Sequence, residues 1–180
     1  MYKYLLWLFA ALPAYGHAAQ TNVATDIGMM GVSISAVTVI NADARTVWDM
    51  LTDYNRLATF VPGMTLSRLV SSPNAAAKVV EQKGEGGLLS LVLPDHVVLK
   101  LSEQPYSRIG FRSVSGWVMS MQGEWVITGD SAPVTLRYRA HVVPALPPPP
   151  MLTDEYVQDE IRLRMNALAR EAERRMQLNR

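Results

Sequence analysis

The chain has 180 residues and no cysteine. That excludes disulfides and any disulfide-linked partner, a thiolate nucleophile, a cysteine-ligated zinc and a lipid anchor on sulfur. An oxidising compartment permits disulfides without requiring them, so the fold must be held by its core alone. Histidine is scarce too: His17, His96 and His141 stand isolated in the sequence and supply no metal-ligand set. Charged residues make up 18% and the net charge is +1, too little for a nucleic-acid surface. Catalytic signatures are also missing. There is no G-x-S-x-G elbow, and Gly84-Glu85-Gly86-Gly87 lacks the lysine and strand-to-helix setting of a phosphate loop. That glycine run reads as a bend in a strand. No catalytic residue, metal or cofactor is expected.

Apolar residues, at 49%, are present in ordinary globular proportion, and the length suits one domain with a sizeable core. Part of that content lies at the start. Lys3 precedes an apolar run over residues 5–14, followed by small residues at Gly16, Ala18 and Ala19. The run falls short of the ~20 residues needed to span a bilayer. It has the form of a signal peptide covering residues 1–19, cleaved after Ala18 or Ala19. The expected location is then the periplasm of a Gram-negative bacterium, or the outside of another cell. Loss of Lys3 leaves the mature chain formally neutral. Residues 20–30, small, polar and aperiodic, read as a flexible leader, and residues 31–180 as a single domain.

Residues 32–40 place Val32, Ile34 and Ala36 at alternate positions and end on β-branched side chains, which predicts a strand. Asn41 or Asp43 can cap the helix that follows, whose apolar positions Val47, Trp48, Leu51 and Tyr54 recur three and four apart. Pro62-Gly63 ends this segment as a turn. The period then shortens to two. Strands are predicted over residues 64–70, 78–84, 96–103, 108–114, 117–127 and 134–143. The last sets Val134, Leu136, Tyr138, Ala140 and Val142 against Thr135, Arg137, Arg139 and His141, the pattern of a half-solvated antiparallel strand. Pro144 and Pro147 to Pro150 make a stiff connector. Thr153 can cap a final helix, with Asp154 and Glu155 in its positive first turn and a stripe of Val157, Ile161, Met165, Leu168, Ala172 and Met176.

This order carries a resemblance. The segments Val47-Trp48-Asp49-Met50-Leu51-Thr52-Asp53-Tyr54-Asn55, Phe60-Val61-Pro62, Gln122-Gly123-Glu124-Trp125 and Leu136-Arg137-Tyr138, with the proline-rich entry to the last helix, resemble the START-like superfamily. Within it the sequence is similar to the polyketide cyclase/dehydrase and coenzyme Q-binding branch. The resemblance covers residues 32–174. It implies an α+β helix-grip fold: a curved antiparallel β-sheet wrapped around a long C-terminal α-helix, with a short helical segment after the first strand. It also implies a cavity for a lipid, isoprenoid or quinone, polyketide or other apolar molecule.

On that expectation the cavity candidates are Leu99, Leu101, Phe111, Trp125 and Tyr138 of the strands and Val157, Ile161, Met165 and Leu168 of the helix. The same stripes equally describe a filled core. Trp117, Met119 and Met121 are candidates for a hairpin tip at the cavity mouth, where soft side chains suit varied apolar ligands. Cross-strand ion pairs are expected between Glu124 and Arg137 or Arg139. Arg162, Arg164, Arg170, Arg174 and Arg175 read as the solvated face of the last helix, a face able to make peripheral contact with membrane lipids. The leading expectation is an exported domain that binds or carries a hydrophobic small molecule or lipid. A cyclase or dehydratase on a polyketide-like substrate is the second reading, and a structural or interaction protein with a filled core the third.

Overall fold

The computed structural model describes residues 21–86 and 94–179. The signal-peptide segment, His17 and Gly87 lie outside the described residues. Eight strands form one antiparallel sheet: β1 Thr21–Gly28, β2 Gly31–Ile40, β3 Met64–Leu69, β4 Lys78–Gly84, β5 His96–Gln104, β6 Arg108–Gly116, β7 Val118–Thr128 and β8 Val134–Pro144. Their spatial order is β1-β2-β8-β7-β6-β5-β4-β3. Helix α1 spans Ala44–Leu51 and helix α2 spans Asp154–Leu178, with a 3-10 turn at Leu57–Thr59. This is the α+β helix-grip architecture. Register shifts at Met64/Leu66, Val98/Leu99 and Val118/Ser120 bend the sheet, since an extra residue on one strand kinks it and raises its twist.

One expectation is corrected at the N-terminus. Residues 21–28 are not a flexible leader but edge strand β1, paired with β2 from Thr21↔Thr38 to Gly28↔Gly31. The short helix therefore follows the second strand. Thr21, Val23, Thr25 and Ile27 all turn one face toward α2. Thr21 Oγ1 donates to Asn166 Oδ1 at 2.6 Å, and Gln158 Nε2 donates to Thr25 Oγ1 at 3.2 Å. Tertiary hydrogen bonds thus hold a strand whose apolar content alone is small.

The helices are capped as their sequences demand. The Thr46 N–H donates to Asp43 Oδ1 at 2.7 Å, and the Tyr156 N–H to Thr153 Oγ1 at 3.3 Å. Such caps each contribute about 0.5–2 kcal/mol. On β8 the inward residues Val134, Leu136, Tyr138, Ala140 and Val142 are all buried. Helix α2 packs against β1, β2 and α1 and stands off from the strands beyond them. The gap beneath its N-terminal half is where the cavity lies.

Candidate functional site

The cavity has a volume of about 350 Å³ and runs between α2 and the concave face of β4–β8. Small-molecule sites span ~300–1,000 Å³, and even an apolar void of roughly 150 Å³ stays dry and admits a benzene-sized guest. Leu51 and Tyr54 of the α1 segment lie at one end, with Leu101 and Ile109. Gly63, Lys83 to Gly86, Pro94, Asp95, Tyr156 and Glu160 border the other end, where Lys83, Glu85 and Tyr156 are exposed. That end is the mouth.

Three aromatic rings form the sheet-side wall. Tyr138 lies 4.3 Å from Trp125 and 6.0 Å from Phe111 between ring centroids, so neighbouring strands β6, β7 and β8 each contribute one ring. Gly123 makes room for them. A Cβ there would sit 2.5 Å from the Phe111 ring and 2.1 Å from the Arg139 carbonyl oxygen. Leu99 and Leu101 extend the wall along β5, and Ile161, Met165 and Leu168 form the helix side. Val157 is fully buried in the core and is not part of the lining, because the apolar stripe of α2 is wider than the cavity. Met121 lines the cavity near β7's start. Trp117 and Met119 do not; they stand exposed at the β6–β7 tip. The strand read over residues 117–127 begins one residue later, because Trp117 separates β6 from β7.

Polar groups are few and each has a definite place. Tyr54 donates its hydroxyl to Glu103 Oε1 at 2.5 Å, while Lys78 Nζ holds Glu103 Oε2 at 2.8 Å. Burial, then the Glu103 carboxylate, push the Tyr54 phenol far up, so it remains a donor. Burial likewise raises the Tyr138 phenol, against the opposing pull of the Arg164 cation. Arg164 is the group that sequence reasoning misplaced. It does not lie on the solvated face but in the cavity wall, donating from Nε to the Pro62 carbonyl at 3.2 Å. Gly63, at φ +71°, permits this approach; a Cβ there would stand 2.7 Å from Arg164 Nη2. Desolvation holds the guanidinium pKa below its ordinary value. Among the described residues no carboxylate lies within salt-bridge distance of it, the mouth residues Glu85 and Glu160 included. The signal was positional: Arg164 lies three residues after Ile161 and four before Leu168, inside the apolar stripe.

Three of the other helix arginines are paired, while Arg170 is exposed and makes no ion pair among the described residues. Arg162 pairs with Asp159, Arg174 with Glu171, and Arg175 with Glu171 and Asp53. The basic face expected on α2 is thus reduced, among the described residues, to the one exposed arginine outside these pairs, Arg170. The expected pairing of Glu124 is also corrected. Arg139 stands opposite it in register, but the carboxylate takes Arg108 Nε at 2.7 Å. His96 meets Glu81 at 3.0 Å and His141 meets Ser33 at 3.1 Å, two separate contacts.

The arrangement can enclose an apolar body and offer one cation, with neutral phenols, to an oxygen-bearing end. A family model described as polyketide cyclase/dehydrase and lipid transport matches residues 40–169, well over half the chain. No curated protein matches the sequence. Similar solved structures include the STAR-related lipid transfer protein from Xanthomonas axonopodis, at 16% identity and TM-score 0.67, covering 87% of this chain and 94% of that one. The Zhui aromatase/cyclase from Streptomyces sp. R1128 is 19% identical with TM-score 0.60, over 79% of this chain and 94% of that one. A START superfamily protein from Mycobacterium smegmatis gives 14% and 0.57, over 82% and 99%. At these identities the likeness shows the fold.

Proposed function

The chain belongs to the polyketide cyclase/dehydrase and lipid transport family, and on that premise we propose that its cavity binds and carries a lipid-like or isoprenoid molecule bearing one anionic or carbonyl oxygen. The observation that carries this reading is the cavity of about 350 Å³, lined mainly by apolar side chains, with the Arg164 guanidinium set into it and no carboxylate among the described residues within salt-bridge distance. Burial of the ligand's apolar surface supplies affinity at about 25 cal/mol per Å², less the costs of association. Arg164 supplies orientation, because a desolvated cation gains most from an oxygen that replaces lost water. Native mass spectrometry of protein purified without detergent is expected to show a retained apolar ligand or uptake from a lipid and quinone panel. A clean apo mass with no thermal shift across the panel would sink the proposal.

A cyclase-type reading has one specific observation in its favour: Arg164 and Tyr138 both face the cavity, and a cation and a phenol donor can polarise a carbonyl. Tyr138, with its pKa raised, serves there as donor and not as base. Turnover of a poly-β-carbonyl thioester, followed by absorbance of an aromatic product, separates the two; a bound but unchanged thioester favours the carrier. Export is proposed on Lys3, the apolar residues 5–14 and the small residues Gly16, Ala18 and Ala19. It would place the carrier in the periplasm of a Gram-negative bacterium and otherwise outside the cell. N-terminal sequencing of the exported protein tests this, and an intact Met1 on soluble protein refutes it.

A further inference from the structure

Seven large apolar side chains among the described residues expose 70% or more of their surface: Met29, Met30, Trp117, Met119, Leu146, Met151 and Leu178. All but Leu178 gather at one end of the sheet, as the strand register shows. Met29 and Met30 are the β1–β2 tip, closed by the Gly28↔Gly31 pair. Val32↔Val142 then places the exit of β8 beside that tip, and Val118↔Pro144 places the start of β7 beside the exit of β8. Trp117 and Met119 occupy the adjoining β6–β7 tip, with the Trp117 N–H donating to the His96 carbonyl at 3.0 Å. Leu146 and Met151 lie on the connector from β8 to α2. The same end holds the cavity mouth, since Gly84 N–H donates to the Asp95 carbonyl at 2.8 Å at the paired ends of β4 and β5.

We propose that this ring of tips is a membrane-docking surface that seats the cavity mouth on the interface of an electrically neutral phospholipid bilayer. Apolar side chains carried on separate loops suit a soft apolar medium, which fills the spaces between them, better than a rigid protein face. Tryptophan and methionine are fitted to such a place: one has an apolar body with a polar edge, the other a pliant, polarisable chain. The charges at this end, Glu85, Asp95, Asp154, Glu155 and Glu160 against Lys83 and Arg164, leave an acidic excess and give an anionic surface no attraction. No described helix is long and apolar enough to cross a membrane, so the contact is peripheral. It rests on the carrier reading for its purpose but not for its evidence, because the tips are exposed whether or not the cavity is filled.

The absence of native cysteine makes the test direct. Met119→Cys and Met29→Cys, each labelled with a polarity-sensitive fluorophore in the full chain, are expected to brighten and shift to the blue on adding phosphatidylcholine vesicles. Val70→Cys, exposed at the opposite end of the sheet, is expected to show no shift. The response should be insensitive to salt. Trp117→Ser with Met30→Ser should weaken vesicle partitioning by roughly tenfold or more, measured against a wild-type chain that carries the same residues 1–20. Ligand uptake from a vesicle-free carrier solution should be unchanged in that variant. The proposal is overturned by no shift at either tip, by an equal shift at Val70→Cys, or by a shift that requires anionic lipid and vanishes at high salt. A shift on concentrating the protein without vesicles also overturns it, in favour of a second copy of the chain. Docking without ligand uptake would remove the carrier reading and leave the surface standing; uptake without docking would do the reverse.

Discussion

Arg164 and Arg175 lie on the same side of one helix, eleven residues and about three turns apart. Their surroundings are opposite. Arg175 donates to Glu171 Oε1 at 2.8 Å and to Asp53 Oδ2 at 2.9 Å, and its guanidinium lies 5.4 Å from the Phe60 ring centroid. Among the described residues Arg164 has one hydrogen-bond partner, the Pro62 backbone carbonyl. The difference follows from what each half of α2 packs against. In the C-terminal half, Ala169 and Ala172 are fully buried small residues, and the helix sits close on its neighbours. In the N-terminal half, Ile161 and Met165, with Leu168 just past the midpoint, face a void. One half of the helix fastens the fold and the other half leaves room in it.

The sharpest way to break this comparison is Arg164→Met. An arginine that held the fold would destabilise it on removal. Here loss of a desolvated cation without a carboxylate partner is expected to leave the unfolding midpoint unchanged or slightly raised. Affinity for a ligand with an oxygen-bearing end should fall by roughly 10–100-fold, the ~1.5–3 kcal/mol of a hydrogen bond to a charged group. Affinity for a wholly apolar analogue should hold. Calorimetric titration of both ligands beside a urea melt decides the matter; equal losses for the two ligands would show that Arg164 shapes the cavity and does not read the ligand.

Ala172→Leu probes the other half. Ala172 has no exposed surface, so the added methylenes have nowhere to go. Overpacking of this kind costs about 1–3 kcal/mol. The urea midpoint should fall accordingly, and ligand affinity measured at low denaturant should change little. A stable Ala172→Leu with weakened binding would mean that the two halves of α2 are not separate.

How much of this was legible in the sequence depends on which kind of signal each part used. Periodicity of two and of 3.6 located the strands from Met64 onward and both helices, because inward and outward residues alternate cleanly, as on β8. The edge strand β1 escaped. Its inward residues Thr21, Val23, Thr25 and Ile27 do alternate, but two of them are threonines that act through hydrogen bonds to α2 and not through apolar burial. Arg164 was misread for a related reason: its charge suggested solvent, whereas its spacing from Ile161 and Leu168 put it in the wall. Whether the inward stripes close into a filled core or leave a cavity was not legible at all. That depends on how far α2 stands from β4–β7, a three-dimensional quantity set by its packing on β1, β2 and α1.

The smallest expected effect concerns the ions that fasten the closed half. Glu171 accepts from Arg174 Nε and Nη2 and from Arg175 Nε, all at 2.8 Å. The Arg174 hydrogen bond, then that of Arg175, hold its carboxyl down to about 2 against an ordinary 4.5, burial opposing them. A carboxyl depressed in the folded state binds its proton less readily there than in the unfolded chain. Its contribution is therefore complete above the ordinary value and is lost as the pH falls through the window from 4.5 toward about 2. Arg174 is half exposed, so solvent screens the cluster and the contribution stays within ~0–1 kcal/mol. Glu171→Gln should then lower stability at neutral pH by about that amount, and by less at pH 3, so that the two stability curves converge in acid. Urea melts at both pH values test this, with a carbon-detected titration of Glu171 as the site-specific check. Curves that stay parallel through the acid range would show that Arg175 is held by Asp53 and Phe60 alone, and the fastening of this half would then lie in its packed alanines.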